Sequence, residues 1–160
     1  MVREFKGAVK IEHRIGIKAP ADIVWEILAD VPRWPEWTTL YSRATGVIGF
    51  GERLKLEVNV PDHAPEALEP VILEWEPREL IHWKLKSMMG LLESVRFFEI
   101  DTLSETGCIF SNGEMFGGFL GPARSAIKRR GALRQGFTAL GEAMCARAEA
   151  LWRERGGGAT

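Results

Sequence analysis

The sequence predicts an α+β fold: a curved antiparallel sheet of about six to seven strands closed over one long C-terminal helix, with two short helices after the first strand. Three observations carry this. Between residues 40 and 116 short apolar runs follow one another across brief turn signals, too brief for the crossovers of roughly a dozen residues that parallel neighbours require. Beyond Gly121-Pro122 the chain reaches Arg153 without a proline, with Ile127, Leu133, Phe137, Leu140, Met144, Ala148 and Leu151 on one helical stripe. Ahead of the strands, Ile23, Val24, Ile27, Leu28 and Val31 recur at three- and four-residue spacing, the period of a short amphipathic helix.

In chain order, Val9, Ile11, Ile15 and Ile17 alternate as in a strand with one buried face, and His13 interrupts the apolar series. The first helix begins near Pro20, a favoured first-turn residue, and Pro32 stops it. Val31-Pro-Arg-Trp-Pro-Glu-Trp37 has its prolines and its tryptophans three apart, which suits a second, single-turn helix packing aromatics. Strands are predicted over Leu40–Ile48, Arg53–Val60, Pro70–Glu76, Leu80–Lys86, Leu92–Asp101 and Gly107–Phe116. The turn signals between them are Gly49-Phe-Gly51, Pro61-Asp62, Glu76-Pro-Arg78, Met89-Gly90 and Ser104-Glu-Thr-Gly107. Alternation assigns Val71, Leu73, Trp75, Ile81, Trp83 and Leu85 to the core face, and Glu74, Glu76, His82, Lys84 and Lys86 to water. The final helix, about 30 residues, extends about 45 Å and crosses the whole sheet. Its glycines 131, 136 and 141 mark a bend or a close approach.

At 160 residues the chain is long enough to bury one sizeable core, so one domain is expected over residues 1–155, with a disordered tail from Gly156 to Thr160. A net charge of −1 supplies no general attraction to a polyanion, and nucleic-acid binding is not expected. No stretch approaches the roughly 20 apolar residues of a membrane span, and the two cysteines, Cys108 and Cys145, lack metal or redox spacing. They are read as reduced, buried small hydrophobes, and the protein as cytoplasmic.

Ile17-Lys-Ala-Pro-Ala-Asp-Ile-Val-Trp-Glu-Ile-Leu-Ala-Asp30, then Val31 to Trp37, then Glu114-Met-Phe-Gly-Gly-Phe-Leu120 leading into the last helix, resemble the helix-grip (SRPBCC, START-like, Bet v 1-like) superfamily over nearly the whole chain. That superfamily includes lipid-transfer START domains and birch-pollen-allergen-like proteins, and the first two segments point to its polyketide cyclase/dehydrase-like branch. The resemblance implies a hydrophobic cavity between sheet and long helix, used across the superfamily for lipids, polyketides, hormones or quinones. It does not by itself imply an enzyme.

Six tryptophans and eight phenylalanines are available to line such a cavity. The candidate lining residues are Trp37, Tyr41, Trp75, Trp83, Phe116, Phe119, Leu133 and Phe137, each with an ordinary alternative as core packing. If Phe98 and Ile100 face inward, so do Ser94 and Arg96; if Phe110 and Phe116 do, so do Asn112 and Glu114. Arg96 and Glu114 are then either ligand-fixing groups paired within the cavity or a solvated cross-strand pair, and the solvated pair is the expectation. His13, His63 and His82 form no catalytic constellation and are read as structural or surface residues. No metal site is visible, no cofactor is expected, and the glycines between 46 and 51 read as a hairpin because they open no helix.

The leading reading is a binding or carrier protein for a small hydrophobic molecule. The alternatives are a polyketide cyclase/dehydratase-type enzyme, which needs a general acid or base in the cavity, and a macromolecular interaction protein. Arg124, Lys128, Arg129, Arg130 and Arg134 form the one local basic excess; it reads as a solvated helix face, with a transient membrane contact as the functional alternative.

Overall fold

The computed structural model of the chain describes residues 9–87, 92–117 and 122–158. Among these, eight strands form: β1 (Val9–Ile17), β2 (Tyr41–Thr45), β3 (Lys55–Val58), β4 (Glu66–Leu68), β5 (Val71–Glu76), β6 (Leu80–Ser87), β7 (Leu92–Ser104) and β8 (Gly107–Gly117). Between β1 and β2 lie α1 (Ala21–Ala29), a 3-10 turn (Val31–Arg33) and α2 (Trp34–Trp37), and the chain closes on α3 (Pro122–Glu154). The predicted turn at Met89-Gly90 lies outside the described residues.

The strand count is one or two above expectation because of β4, a three-residue edge strand between Pro65 and Pro70. Three residues carry too little alternation to be read, and prolines on both sides argue against a strand. All pairings are antiparallel, in a five-stranded sheet of order β1-β8-β7-β6-β5 and a three-stranded sheet of order β2-β3-β4. The sheets meet where Arg53 bridges Val71, Gly51 N–H donates to the Ile72 carbonyl (3.0 Å) and Ile72 N–H to that of Glu52 (2.8 Å).

α1 buries Ile23, Val24, Ile27 and Leu28, and Pro32 initiates the 3-10 turn instead of continuing the helix. α3 lays Leu133, Phe137, Leu140, Met144 and Ala148 onto β1 and β8. Gly141 is where helix and sheet come closest: a Cβ there would run into the His13 ring and lie 3.4 Å from the Asn112 amide. α3 ends in a capping turn, in which Gly156 N–H donates to the Arg153 carbonyl and Gly157 N–H to that of Trp152, both at 2.9 Å. Gly156, at φ +82°, supplies the left-handed residue that ends many helices.

One face assignment and one expected exposure are corrected. A bulge between Ile72 and Glu74 shifts the phase of β5, so Ile72, not Val71 or Leu73, enters the core. His82 does lie on the face away from α3 but is only 7% exposed. Its Nε2 is 3.0 Å from Glu99 Oε1 and its ring meets Phe97 edge-on; that hydrogen bond, opposed by burial, holds the Glu99 carboxyl below its ordinary pKa. No described helix is long and apolar enough to cross a membrane.

Gly113 in β8 has no room for a side chain, because a Cβ would run into the Ile11 carbonyl, the Glu12 Cα and the Phe97 ring. Gly113→Ala is expected to destabilise by about 2 kcal/mol through forced separation of β1 and β8, measured as a lower urea midpoint at unchanged slope.

Candidate functional site

Register alone assembles the centre of the inner sheet face. Ile72 stands opposite Trp83, Trp83 opposite Arg96, Arg96 opposite Glu114, and Glu114 opposite Ile11. One row across all five strands thus carries an indole, a guanidinium and a carboxylate side by side. The next rows place Ser94 beside Phe116, and Phe98 beside Asn112 and His13. Because strand residues alternate faces, an inward Phe98 and Phe110 oblige Ser94, Arg96, Asn112 and Glu114 to be inward too, and all four are buried.

Arg96 is 5% exposed and Glu114 4%, which overturns the solvated pairing. Arg96 Nε donates to Glu114 Oε2 at 3.0 Å, Ser94 Oγ donates to Glu114 Oε1 at 2.6 Å, and Arg96 Nη1 donates to the Tyr41 hydroxyl at 3.1 Å. The guanidinium also lies 5.5 Å from the centre of the Phe137 ring, so α3 caps a cation over an aromatic face. Apolar rings surround this network: Trp34 is 5.3 Å from Tyr41, 5.5 Å from Trp83 and 5.6 Å from Phe98, centre to centre.

Burial opposes the charge on Arg96, yet Glu114 and Tyr41 override it and raise the guanidinium pKa further above its ordinary value. Burial pushes the Tyr41 phenol up, with Arg96 pulling the other way. The site therefore holds a permanent cation against a neutral phenol. Tyr41 is the chain's single tyrosine, so absorbance at 295 nm reads it alone. The native protein is expected to show no phenolate step at the ordinary tyrosine pKa of about 10. Since the unfolded chain loses that proton first, stability falls as pH rises from the unfolded pKa towards the folded one. A phenolate step near the ordinary value in protein that circular dichroism shows still folded would contradict the buried assignment.

Of the residues the sequence offered, the structure groups Tyr41, Trp83, Arg96, Glu114 and Phe137, with Phe116 partly buried beside Ser94 and Leu133 buried on α3. Trp75 is 37% exposed and stacks on Trp25 of α1 at 6.2 Å and 11°, at the sheet's rim. Trp37 points away, into a groove of about 140 Å³ shared with Ile27, Arg33, Arg147 and Leu151. Phe119 and the side chains of Arg124 and Lys128 lie outside the described residues. Arg130 and Arg134 are exposed, whereas Arg129 is half-buried, 3.9 Å from Glu66.

Sequence reasoning passed over Trp34 and Ile72. Trp34 extends the Val24, Ile27, Val31 stripe, a signal that was available; Ile72 depends on the bulge and left none. Cys108 is buried and Cys145 half-buried, both free, and burial pushes each thiol up to about 11. Among the described residues, no group of three His, Cys, Asp or Glu side chains is placed to hold a metal ion.

Residues 8–144 match the protein family described as polyketide cyclase / dehydrase and lipid transport. Among solved structures, the chain is similar to the Zhui aromatase/cyclase from Streptomyces sp. R1128, with a TM-score of 0.76 at 20% identity over 94% of this chain and 99% of that one. A START superfamily protein from Mycobacterium smegmatis gives 0.69 at 15% identity, over 89% and 98%. Norcoclaurine synthase from Thalictrum flavum gives 0.66 at 13% identity, over 92% and 87%. No curated protein matches the sequence significantly. At these identities the structural likenesses establish the fold.

Proposed function

Since the chain belongs to the polyketide cyclase / dehydrase and lipid transport family, we propose that it binds a small, mainly apolar molecule between the inner sheet face and α3, with Arg96 and Tyr41 fixing an oxygen of that ligand. The observation that carries this is the buried Ser94–Glu114–Arg96–Tyr41 network inside an aromatic core. Taking two charges out of water costs several kcal/mol per ion, and apolar residues of similar volume would stabilise a core as well or better. A few placed polar groups in an apolar lining are what orients a ligand.

Native mass spectrometry of freshly purified protein, followed by organic extraction, tests the binding reading. A stoichiometric apolar adduct supports it and gives the chemical class. Protein that is clean as isolated and binds no hydroxylated aromatic on titration would sink it.

The Tyr41–Arg96 contact favours a second reading, a cyclase or dehydratase, and several proteins of similar fold are aromatase/cyclases. A guanidinium stabilises the oxyanion that forms when a ligand carbonyl is attacked, and a phenol kept protonated beside it donates a proton. Tyr41→Phe separates the readings: an enzyme loses turnover while ligand affinity changes little, and a carrier has no turnover to lose. In the carrier reading the exposed Arg130 and Arg134 meet anionic lipid during ligand transfer; vesicle binding indifferent to salt would remove that contact.

A further inference from the structure

Two tryptophans sit side by side in the core and differ in one respect. Trp34 donates its indole N–H to the Leu28 carbonyl at 3.0 Å. Trp83, 1% exposed, has no hydrogen-bond partner for its Nε1 among the described residues. Leaving a buried donor unmade costs about 1–3 kcal/mol, and folded proteins keep few such groups without a reason. The Trp83 ring is not free to turn in search of a partner: Phe98 abuts it at 4.9 Å and 86°, Tyr41 at 6.3 Å and 79°, and Trp34 at 5.5 Å. A phenylalanine would fill much of the same apolar volume without the orphan.

Its position gives the N–H a use. Trp83 is the cross-strand partner of Arg96, on the neighbouring strand about 5 Å away, and its ring centre lies 6.3 Å from that of Tyr41. Resting on the binding reading above, we propose that Trp83 is a specificity-determining residue whose indole N–H donates to a second oxygen of the ligand. The site then favours a ligand carrying two hydrogen-bonding oxygens, one taken by Arg96 and Tyr41 and the other by Trp83. A ligand oxygen that reaches the unpaired donor gains a hydrogen bond that an apolar ligand of the same shape cannot make.

Three probes of one ring system test this by calorimetry: naphthalene, 1-naphthol and 2,7-dihydroxynaphthalene. Wild-type protein is expected to bind them with increasing affinity in that order. Trp83→Phe is expected to lose about tenfold more affinity for the diol than for naphthalene, the worth of one hydrogen bond. A variant that keeps the preference for the diol, or that weakens all three probes equally, overturns the proposal, the second result marking a packing role. Wild-type protein that binds none of the three instead removes the binding site beneath it. If Trp83→Phe does not fold, wild-type protein with nitrogen-15 indoles gives the same decision. The indole signal tied to the Phe98 ring must move downfield with the diol and not with naphthalene, and a signal that stays in place overturns the proposal.

Discussion

Replacing Arg96 with methionine, or Glu114 with leucine, is expected to lower stability by about 3–5 kcal/mol each, because either change leaves the other charge buried without its partner. In Arg96→Met the Glu114 carboxylate keeps only Ser94 as donor, and the Tyr41 hydroxyl loses the donor it accepts from. In Glu114→Leu a guanidinium stands among Phe137, Tyr41 and the strand backbone without a counter-charge. The double variant Arg96→Met/Glu114→Leu is expected to recover nearly all of the loss and to fall within about 1 kcal/mol of wild type, since both desolvation costs vanish together. Urea denaturation of the four proteins decides this. Losses that simply add in the double variant would mean that the two charges are not each other's partner.

That cycle bears on function as well as on stability. If the apolar double variant folds as well as wild type, stability gives no reason for the chain to carry two ions at the centre of its sheet. Ligand chemistry does. The double variant is then expected to remain folded while losing the preference for oxygen-bearing probes over naphthalene. Such a result separates the network's role in recognition from its role in the fold, which neither single variant can do.

What was legible in the sequence follows from which physical signals are local. The alternation of β1 and the long proline-free stripe of α3 are local, and both elements formed nearly where expected. Inward placement of Arg96 and Glu114 was one of two alternatives that the two-residue period left open, conditional on an inward Phe98 and Phe110, and the solvated pair was the expectation. Their desolvation was not legible, because it depends on Phe137 and Tyr41, contributed by elements 41 and 55 residues from Arg96 in the chain. Trp75, assigned to the core face, is 37% exposed because α1 reaches the end of β5 and offers Trp25 as a stacking partner at the rim. The phase of β5 turned on a bulge, which leaves no trace in a pattern of apolar residues.

Trp34→Ala is expected to cost about 3–5 kcal/mol, the range for truncating a buried aromatic. Trp34 is wholly buried, touches Tyr41, Trp83 and Phe98, and fastens the end of α1 through its bond to the Leu28 carbonyl. Trp34→Phe should restore most of the packing and leave about 1 kcal/mol missing for that hydrogen bond. The site supplies a second readout. Trp34 is one wall of the enclosure that keeps Tyr41 dry, and burial is the largest cause of that phenol's raised pKa. In Trp34→Ala the cavity admits water beside a polar network, unlike a purely apolar void, so the 295 nm titration of Tyr41 should move down towards the ordinary tyrosine value while the protein is still folded. A large stability loss with the Tyr41 titration unmoved would show that Trp34 supports the fold without shielding the site; both changes together would make it the residue by which the short helices keep Tyr41 dry.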